Sequence, residues 1–578
     1  MARQRRGEGL RNLSLRSDSA PAWRTPLLLL VLLFGLTWLA LVLRGLEFGF
    51  TGDLLDYAFH YDRLGTFGGM RWLVTEHLQR HVIAGLVSAP IAYLFPGQAA
   101  PWYAYLFLVH FIDAILVFFL ANTLLHGRYR WVSFAAALVF AFHVVQVPTL
   151  LGFPTGGHRT TALGFSLISL WLYVLYRRRA GRGWLELSFI GYVVAILLYE
   201  QTVLFFLLHP LFAYLEDARA GNVRFNLRWL LRLAVDSAAF PLFVVGYLFL
   251  LSVLFPPSDQ LTLNPEHLLN QVRGGLLLTL DPAYLLAIIG SAITAAPLLT
   301  LAGVLAVFGL LAGMMRHTPT TPGAHSRRAL GGLAVIGLAL IFASVLGVSP
   351  SEWAIADHPR SVYAASVGLG FLVAGGLALL LSYVPTAGVR VALFSLAVAL
   401  FVGSGFSEFF VQQDGAQARA DIRDRFFAAV HAAVPAVDRD NPPYLLIYTD
   451  AHPTDDLWLY AQDNRFTLAF DWLYGTNDMP VDVIYANLDP ALAPPDTLPG
   501  RRYNGQFIVV EPEGIYSPLK PFVPIDPERL IVVAYDSATG EARVVDSLPA
   551  DVRASANIVE RAPVEWRTNH ALLPESAP

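Results

Sequence analysis

The sequence predicts a polytopic α-helical membrane protein with a small soluble domain of α/β or α+β type after its last span. Apolar runs of membrane-spanning length alternate with short charged loops from about residue 25 to residue 411, and about 20 apolar residues of helix cross the hydrocarbon core. Only 15% of the 578 residues are charged, whereas a soluble domain carries about 25%. Because the deficit lies in the first 411 residues, burial in a membrane explains it better than a large soluble core.

The composition excludes several kinds of site. The chain contains no cysteine, which rules out disulfides, thiolate metal sites and cysteine nucleophiles. The net charge is -4, and the basic residues flank the apolar runs instead of forming one stripe. This distribution does not indicate a nucleic-acid partner, and the lipid bilayer is the partner that the composition predicts.

The N-terminus sets the expected orientation. Residues 1–24 are basic and polar and precede the apolar run from Pro26 to Leu43. This run is long and no small-residue cleavage site follows it, so we interpret it as a retained signal-anchor. Arginine and lysine near span ends mark the cytoplasmic side. The N-terminus is therefore expected in the cytoplasm of a plasma or inner membrane, and everything after residue 411 outside.

Two segments of the membrane region, 25–411, allow alternative topologies. Segment 81–97 is short and interrupted by proline, and 185–215 is long enough for either a kinked span or a tight hairpin. The arginine pattern is satisfied if the first does not cross and the second is a hairpin; the alternative has both as the other kind, with some arginine loops on the wrong side. Either version predicts roughly ten to twelve spans. The other candidate spans are 25–46, 101–124, 131–151, 160–176, 233–255, 284–314, 330–348, 361–383 and 391–411.

The soluble domain is expected over residues 412–565, with a loose tail at 566–578. It opens with a helical stretch, and short apolar runs at 444–450, 481–488 and 506–512 are typical of strands. The run at 529–546 has two alternating halves around Ser-Ala-Thr-Gly, which predicts a β-hairpin.

Acidic residues cluster in the external first loop, 47–80. Asp53 and Asp56 are three residues apart, so they share one face if the segment is helical. A carboxylate just outside the bilayer, near a basic partner, could act as a general base or hold an acceptor. The alternative interpretation is a solvated loop after a signal-anchor.

Glu200 lies between two apolar runs within 185–215. A carboxylate deep in a membrane costs at least a few kcal/mol and usually marks a functional site. If 185–215 is a hairpin, however, Glu200 is at its apex near the interface, where the charge costs little.

Two further loops carry basic residues. Asp357, His358 and Arg360 precede a late span, and a guanidinium suits bidentate binding of a phosphate. His158 and Arg159 follow a Gly-rich turn at a helix start, where an anion can bind. The alternative for Arg360 is an arginine that reaches back to the interface. No sequence pattern supports a metal site, since His143 and His158 lack ligand spacing.

Taken in order, these segments resemble the GT-C superfamily of membrane glycosyltransferases, in particular the protein O-mannosyltransferase branch that includes the transmembrane-and-TPR mannosyltransferases. The resemblance covers about residues 25–411 at low identity, and it rests on the order of the segments. They are FTGDLLDY at 50–57, the stretch from QRHVIAGL to LANTLL at 79–125, the stretch from VFAFHVVQ to YVLY at 139–176, LLYEQTVLFFLLHPLFAY at 197–214, and HPRSVYAASVGL at 358–369, where Arg360, Tyr363, Ser366 and Gly368 match the family's pattern.

The resemblance implies a fold, an activity and roles for residues. It implies transfer of a mannose-like sugar from a polyprenyl-phosphate donor to a protein or envelope-glycan acceptor, with Asp53 as catalytic base and Arg360 and Arg159 holding the phosphate. The chain departs from the family's pattern in three respects. The acidic pair is split between Asp53 and Asp56, Asp113 replaces an Asn-rich position, and the TPR array is absent. No cofactor is required by this chemistry, and nothing in the sequence supports a divalent cation.

Two other functions remain open from the sequence. The first is a non-catalytic envelope protein on a decayed GT-C scaffold, which the split acidic pair favours. The second is a transporter or flippase of lipid-linked glycans. Transporters tend to contain internal repeats and broken helices at the membrane midplane, and this sequence shows no repeat.

Overall fold

The molecule is a bundle of apolar helices followed by a small domain built around β-strands. The structure, a computed structural model, describes residues 24–42, 53–73, 83–143, 155–179, 181–219, 227–254, 264–316, 324–349, 362–449, 465–476, 481–485 and 529–545, with a few isolated residues and short strands elsewhere.

The helices of the bundle follow one another with short connections. In the described part of the chain they are α1 (Arg24–Leu41), α2 (Asp53–Trp72), α3 (Gly85–Leu94), α4 (Ala100–Leu124), α5 (Arg130–Ala141), α6 (Thr155–Arg179), α7 (Arg182–Leu198), a 3-10 helix (Glu200–Leu207), α8 (Leu208–Arg219), α9 (Leu227–Ser237), α10 (Ala239–Leu254), α11 (Pro265–Leu280), α12 (Pro282–Ala295), α13 (Pro297–Arg316), α14 (Ala324–Val348), α15 (Ala365–Leu381) and α16 (Ala387–Ala433).

The chain is a helical membrane protein, as the apolar runs predict. Among the described helices, four are long and apolar enough to cross a membrane: α4, α13, α14 and α16. The count is six if each of two bent pairs, α9 with α10 and α11 with α12, is a single span. This count covers only the described helices, whereas the prediction of about ten to twelve spans covers the whole chain. Within the predicted spans 131–151 and 361–383, the described helices have 12 and 17 residues.

The segment 185–215 is a hairpin. The chain is extended at Tyr199, between α7 and the 3-10 helix. The Tyr192 hydroxyl donates to the carbonyl of Val203, and the rings of Tyr192 and His209 lie 6.0 Å apart. Residues 11 and 17 positions apart cannot meet on one straight helix at 1.5 Å per residue. Their contact therefore requires the chain to reverse at Tyr199 and Glu200.

Glycines let the helices α14 and α15 approach closely. A Cβ added at Gly368 would lie 2.7 Å from Cγ1 of Ile341, and closer still to the carbonyl oxygen of Gly337. The hydrophobic effect cannot drive helix association inside a membrane, so van der Waals packing takes its place. Small residues at such a crossing let the two backbones come close enough for this packing. The start of α15, which follows the predicted Arg360 loop, is thereby held against the bundle.

The 47-residue helix α16 connects the bundle to the soluble domain without a break. At 1.5 Å per residue it is about 70 Å long, more than twice the thickness of the hydrocarbon core. Its side chains also hold the end of the first span and the start of the first loop. Gln413 Nε2 donates to the carbonyl of Leu41 at 3.4 Å, and Arg423 Nη2 donates to the carbonyl of Phe48 at 3.2 Å. The boundary expected between residues 411 and 412 lies inside this helix.

The soluble domain contains two small sheets, as the short apolar runs predict. The first has the order β2-β1-β6-β7, and β1, β2 and β6 are parallel. The crossover from β1 to β2 contains α17 (Arg465–Tyr474), and β6 and β7 form the predicted hairpin. The second sheet has the order β5-β4-β3-β8. The strands are β1 (Tyr444–Thr449), β2 (Val481–Tyr485), β3 (Val509–Glu511), β4 (Gly514–Tyr516), β5 (Pro524–Ile525), β6 (Leu530–Asp536), β7 (Glu541–Val545) and β8 (Val559–Glu560).

The helix α2 is packed on two sides. Leu54, Tyr57 and Tyr61 belong to the hydrophobic core of the bundle. Leu55 instead belongs to the core of the soluble domain, together with Phe426 from α16. Because both cores contact α2, the first-loop carboxylates lie between the membrane bundle and the soluble domain.

The close approach of α14 and α15 gives a test of the packing. We expect Gly368→Ala to destabilise the protein by about 1–3 kcal/mol, because its Cβ overpacks the crossing. Gly376→Ala on the same helix is the matched control, since a Cβ there meets nothing within 4 Å. Thermal unfolding in detergent, followed by fluorescence-detected size exclusion, measures both variants. Equal midpoints for the two would contradict the packing of these helices.

Candidate functional site

The helix α2 presents the predicted acidic residues at its first turn. Asp53 is the first residue of α2, and its side chain lies outside the part that the structure describes. Asp56 is buried, with 5% of its surface exposed. The backbone carbonyl of Asp56 lies 2.7 Å from Nδ1 of His60. A buried carboxylate here disagrees with the interpretation of the first loop as a purely solvated segment.

A kink in α2 folds its end back over its start. Gly65 has φ 68°, a left-handed conformation that favours glycine. The Trp72 ring consequently stacks on the ring of His60 with centroids 3.7 Å apart. The Trp72 ring also contacts Tyr57 edge-on at 6.0 Å. These rings shield the apolar side of the turn that carries Asp56.

Tyr61 attaches α2 to α3. Its hydroxyl shares a hydrogen bond of 2.7 Å with the Ser88 hydroxyl. Burial raises the pKa of Tyr61 to about 12, and the bond to Ser88 opposes this only in part. Tyr61 therefore stays neutral at physiological pH and holds the segment 81–97 beside the first loop.

The start of α6 brings His158 and Arg159 to the same region. His158 is fully buried, and its ring centroid lies 5.9 Å from that of Tyr57. Arg159 is 8% exposed, and its Nη2 donates to the Tyr199 hydroxyl at 2.5 Å. The guanidinium carbon of Arg159 also lies 4.8 Å from the centre of the Tyr199 ring. The start of α2 and the start of α6, predicted separately from the sequence, are thus in contact through Tyr57 and His158.

Arg159 retains unused hydrogen-bonding capacity. Its Nε and Nη1 atoms are buried, and neither has a hydrogen-bond partner among the residues that the structure describes. A buried guanidinium without partners costs several kcal/mol unless an anion satisfies it. Nε and Nη1 are therefore the donors of this side chain that have no acceptor in the described part of the chain.

Glu200 lies at the reversal of the hairpin, directly after Tyr199. It is half-buried, in agreement with the interpretation of a hairpin apex and against a carboxylate in the middle of a straight span. Because Tyr199 binds Arg159, Glu200 and Arg159 belong to the same corner of the bundle.

The remaining predicted residues divide into two groups. Asp357, His358 and Arg360 lie outside the described residues. Tyr363, three residues after Arg360 in the sequence, is fully buried. Its hydroxyl lies 2.8 Å from Nδ1 of His110 and 3.2 Å from Oδ2 of Asp113.

The hydrogen bonds of His110, Asp113 and Tyr363 determine the net charge of this cluster. Nε2 of His110 lies 3.1 Å from the carbonyl of Ala141, to which only a protonated nitrogen can donate. The single hydroxyl proton of Tyr363 cannot serve both other partners. Either Asp113 carries a proton or His110 carries a second one, so the cluster has net zero charge in both forms. Sequence reasoning missed His110; a His and an Asp three apart inside a 25-residue apolar helix were the signal.

The cluster lies deeper in the bundle than Arg159. A Cβ at Gly164 on α6 would come 2.7 Å from Oδ1 of Asp113. Gly164 is five residues after Arg159, which is about 7.5 Å along a helix. Tyr105 of α4 and Thr161 of α6 share a hydrogen bond of 2.8 Å between the two levels. The cluster itself connects α4 to the end of α5 and to Tyr363 just before α15.

Metal ligands do not gather in the described part of the chain. No three of its His, Asp and Glu side chains come together in a way that could hold a metal ion. His143 and His158, which the spacing already separates, belong to different surroundings: the ring of His143 stacks on Phe401 at 5.7 Å, whereas His158 contacts Tyr57.

Comparisons with known proteins identify no family for this chain. No family model matches it, and no curated protein matches it. Two similar solved structures are crystal structures of ArnT from Cupriavidus metallidurans. The apo state is 13% identical over 80% of this chain and 86% of that chain, with a TM-score of 0.38. The state bound to undecaprenyl phosphate is 14% identical over 80% of this chain and 90% of that chain, with a TM-score of 0.35. At these TM-scores the likeness carries no argument, so the proposals below rest on the residues of this chain.

Proposed function

We propose that this protein is a membrane glycosyltransferase that moves a sugar from a polyprenyl-phosphate donor to an acceptor on the extracytoplasmic face. The observation that carries this proposal is Arg159, a buried guanidinium whose Nε and Nη1 have no partner among the described residues, next in sequence to His158, which contacts Tyr57 of α2. A cation for a phosphate and a carboxylate for a hydroxyl proton are the two groups that such a transfer needs.

The proposed step is a displacement at the anomeric carbon. The acceptor hydroxyl attacks this carbon and gives its proton to Asp53 or Asp56, while the bond from the carbon to the phosphate oxygen breaks. Polyprenyl phosphate leaves with the electron pair, and Arg159 and Arg360 offset its added negative charge. The scheme needs no cofactor, because a carboxylate supplies the base and arginines supply the charge.

The location of the site suits a donor that is dissolved in the bilayer. A polyprenyl chain stays among the lipid tails. The protein must therefore bind its sugar-phosphate head at the membrane surface, where the helices end. Arg159 is near the start of α6, and Glu200 is at the apex of the hairpin, so both lie at one end of the bundle. The soluble domain contacts α2 through Leu55 at the same end, where an acceptor would have to enter.

The finer parts of the proposal come from the resemblance to the GT-C superfamily. The ordered segments support a mannose-like sugar, a protein or envelope-glycan acceptor, and a cell membrane with the N-terminus in the cytoplasm. They assign the base to Asp53 and a phosphate contact to Arg360. His158, Asp357, His358 and Tyr363 would line or support this site.

Removing the guanidinium should impair the use of donor. We expect Arg159→Gln to lower transfer by about 10²–10³-fold, because the charge that forms on the leaving phosphate loses a preorganised partner. Transfer of label from radiolabelled polyprenyl-phosphate mannose to envelope material, with purified protein in detergent, measures this. Arg182→Gln is the matched control, since Arg182 is 89% exposed and pairs only with Glu186 at i+4. A wild-type rate in Arg159→Gln would remove this residue from the site.

Neutralising the proposed base should stop transfer without loss of donor binding. We expect Asp53→Asn to lower the rate about 10²–10⁴-fold, while polyprenyl phosphate still binds in native mass spectrometry. Asp62→Asn, an exposed carboxylate two turns further along α2, should transfer normally. Normal transfer by Asp53→Asn with loss in Asp56→Asn would move the base to Asp56. No transfer by the wild type from mannose, glucose or arabinose donors would favour the non-catalytic scaffold.

A further inference from the structure

The short helix α9 carries a continuous apolar stripe on its outer face. Leu227, Leu230, Leu231, Ala234 and Val235 recur at the spacing of one helical face. All five are exposed, and Leu227 and Val235 are more than 70% exposed. None of the residues of α9 is fully buried. The stripe therefore faces away from the described bundle.

Polar bonds on the other side fix this orientation. Trp229 Nε1 donates to Oδ2 of Asp217 at 2.9 Å, and Asp236 accepts from Arg177 Nη1 at 2.8 Å. The hydroxyls of Ser237 and Tyr173 lie 3.3 Å apart. Turning the stripe inward would break all three contacts, two of which involve charged groups that are largely shielded from solvent.

The helix is too short to cross a membrane. Eleven residues span about 16 Å, roughly half of the hydrocarbon core. It is bent by 46° against the apolar segment that begins at Ala239 and ends at Leu250. That segment exposes Leu242, Val245 and Phe249, so the stripe of α9 continues an apolar outer surface. A bend at the membrane boundary explains why α9 and α10 are separate helices and why their exposed apolar surfaces are continuous.

Two arginines border the stripe. Arg228 comes directly after Leu227, and Arg232 comes directly after Leu231. Both arginines are exposed. Arg232 reaches Asp236 only at 3.8 Å, with 71% of its side chain exposed. They lie at the end of the bundle where Arg177 is paired, opposite Arg159. Apolar residues with flanking arginines are the composition of helices that lie in a membrane surface and attract anionic headgroups.

We propose that α9 lies in the plane of the membrane interface, with Leu227, Leu231 and Val235 among the acyl chains and with Arg228 and Arg232 on the phosphates of anionic phospholipids. The helix anchors the end of the bundle that lies away from the candidate site. This proposal does not depend on the proposed glycosyltransferase activity.

Depth measurements test the placement, and the absence of native cysteine makes each introduced one unique. Leu231→Cys, Val235→Cys and Arg232→Cys are labelled with a fluorophore in phosphatidylcholine vesicles that contain phosphatidylglycerol. Lipids brominated on their acyl chains should quench the labels at 231 and 235 at least about twofold more than the label at 232. Iodide in the water should show the reverse order.

Other outcomes overturn the placement. Strong iodide quenching at 235 would mean that the stripe faces water. Protection of 231 and 235 from both quenchers would mean that a protein partner or a second copy covers it. Because all three positions are exposed, the labelled proteins should elute like the wild type in size exclusion.

A second experiment tests the headgroup contact. The double variant Arg228→Gln, Arg232→Gln should retain roughly tenfold less phosphatidylglycerol relative to phosphatidylcholine in native mass spectrometry, since each arginine near an anionic surface contributes about tenfold or less. The matched control is Arg63→Gln, Arg425→Gln, which removes the same charge from exposed positions on α2 and α16. Unchanged retention in the first variant, or equal loss in both, would contradict a specific contact at α9.

Discussion

The position of α2 depends on α16, which passes from the last span into the soluble domain without interruption. A single helix of about 70 Å is a stiff element, so the orientation of its membrane part also sets that of its part in the soluble domain. Near its middle, Gln413 and Arg423 bind backbone carbonyls at the end of the first span and the start of the first loop. Farther along, Phe426 packs with Leu55 of α2 in the core of the soluble domain. The first and last spans are therefore fixed to each other, and α2 is held from both sides.

The arginines at the two ends of α6 differ in how completely they are paired. At its end, Arg177 binds Asp217 and Asp236 at 2.6 and 2.8 Å, and Arg178 binds Glu216 at 2.8 Å. These pairs fix α8 and α9 against α6, so they close the hairpin and hold its apex at the other end. There, Arg159 is shielded by Tyr199, and its buried Nε and Nη1 have no partners among the described residues. Fully paired charges stabilise the packing of the helices, whereas a buried guanidinium that lacks part of its partners carries a cost of burial.

The sequence predicted the elements better than their limits. Apolar runs and arginine loops predicted the helical bundle, and alternation predicted β1, β2 and the β6–β7 hairpin. The change of composition at residue 411 suggested a domain boundary, but α16 continues because a helix needs no change of backbone where its surroundings change. Local reasoning also left the segment 185–215 open. Its reversal depends on contacts such as that between Tyr192 and His209, which join positions far apart on one straight helix. The ends of the spans were undefined for a similar reason, since hydropathy does not show where a helix ends.

In the candidate site, likewise, the sequence predicted individual residues but not which of them are in contact. Glu200 was identified from its charge in apolar surroundings, Asp56 from an acidic cluster after the first span, and His158 and Arg159 from a Gly-rich turn at a helix start. That Arg159 lies on Tyr199, and that Tyr57 lies on His158, follows only from the packing of α2, α6 and the hairpin. The cluster of His110, Asp113 and Tyr363 is the clearest case, because its members come from positions 253 residues apart. Its three polar groups, with one shared proton, have net zero charge, so the bundle can bury them at little electrostatic cost. The cluster connects α4 to the end of α5 and to the segment just before α15.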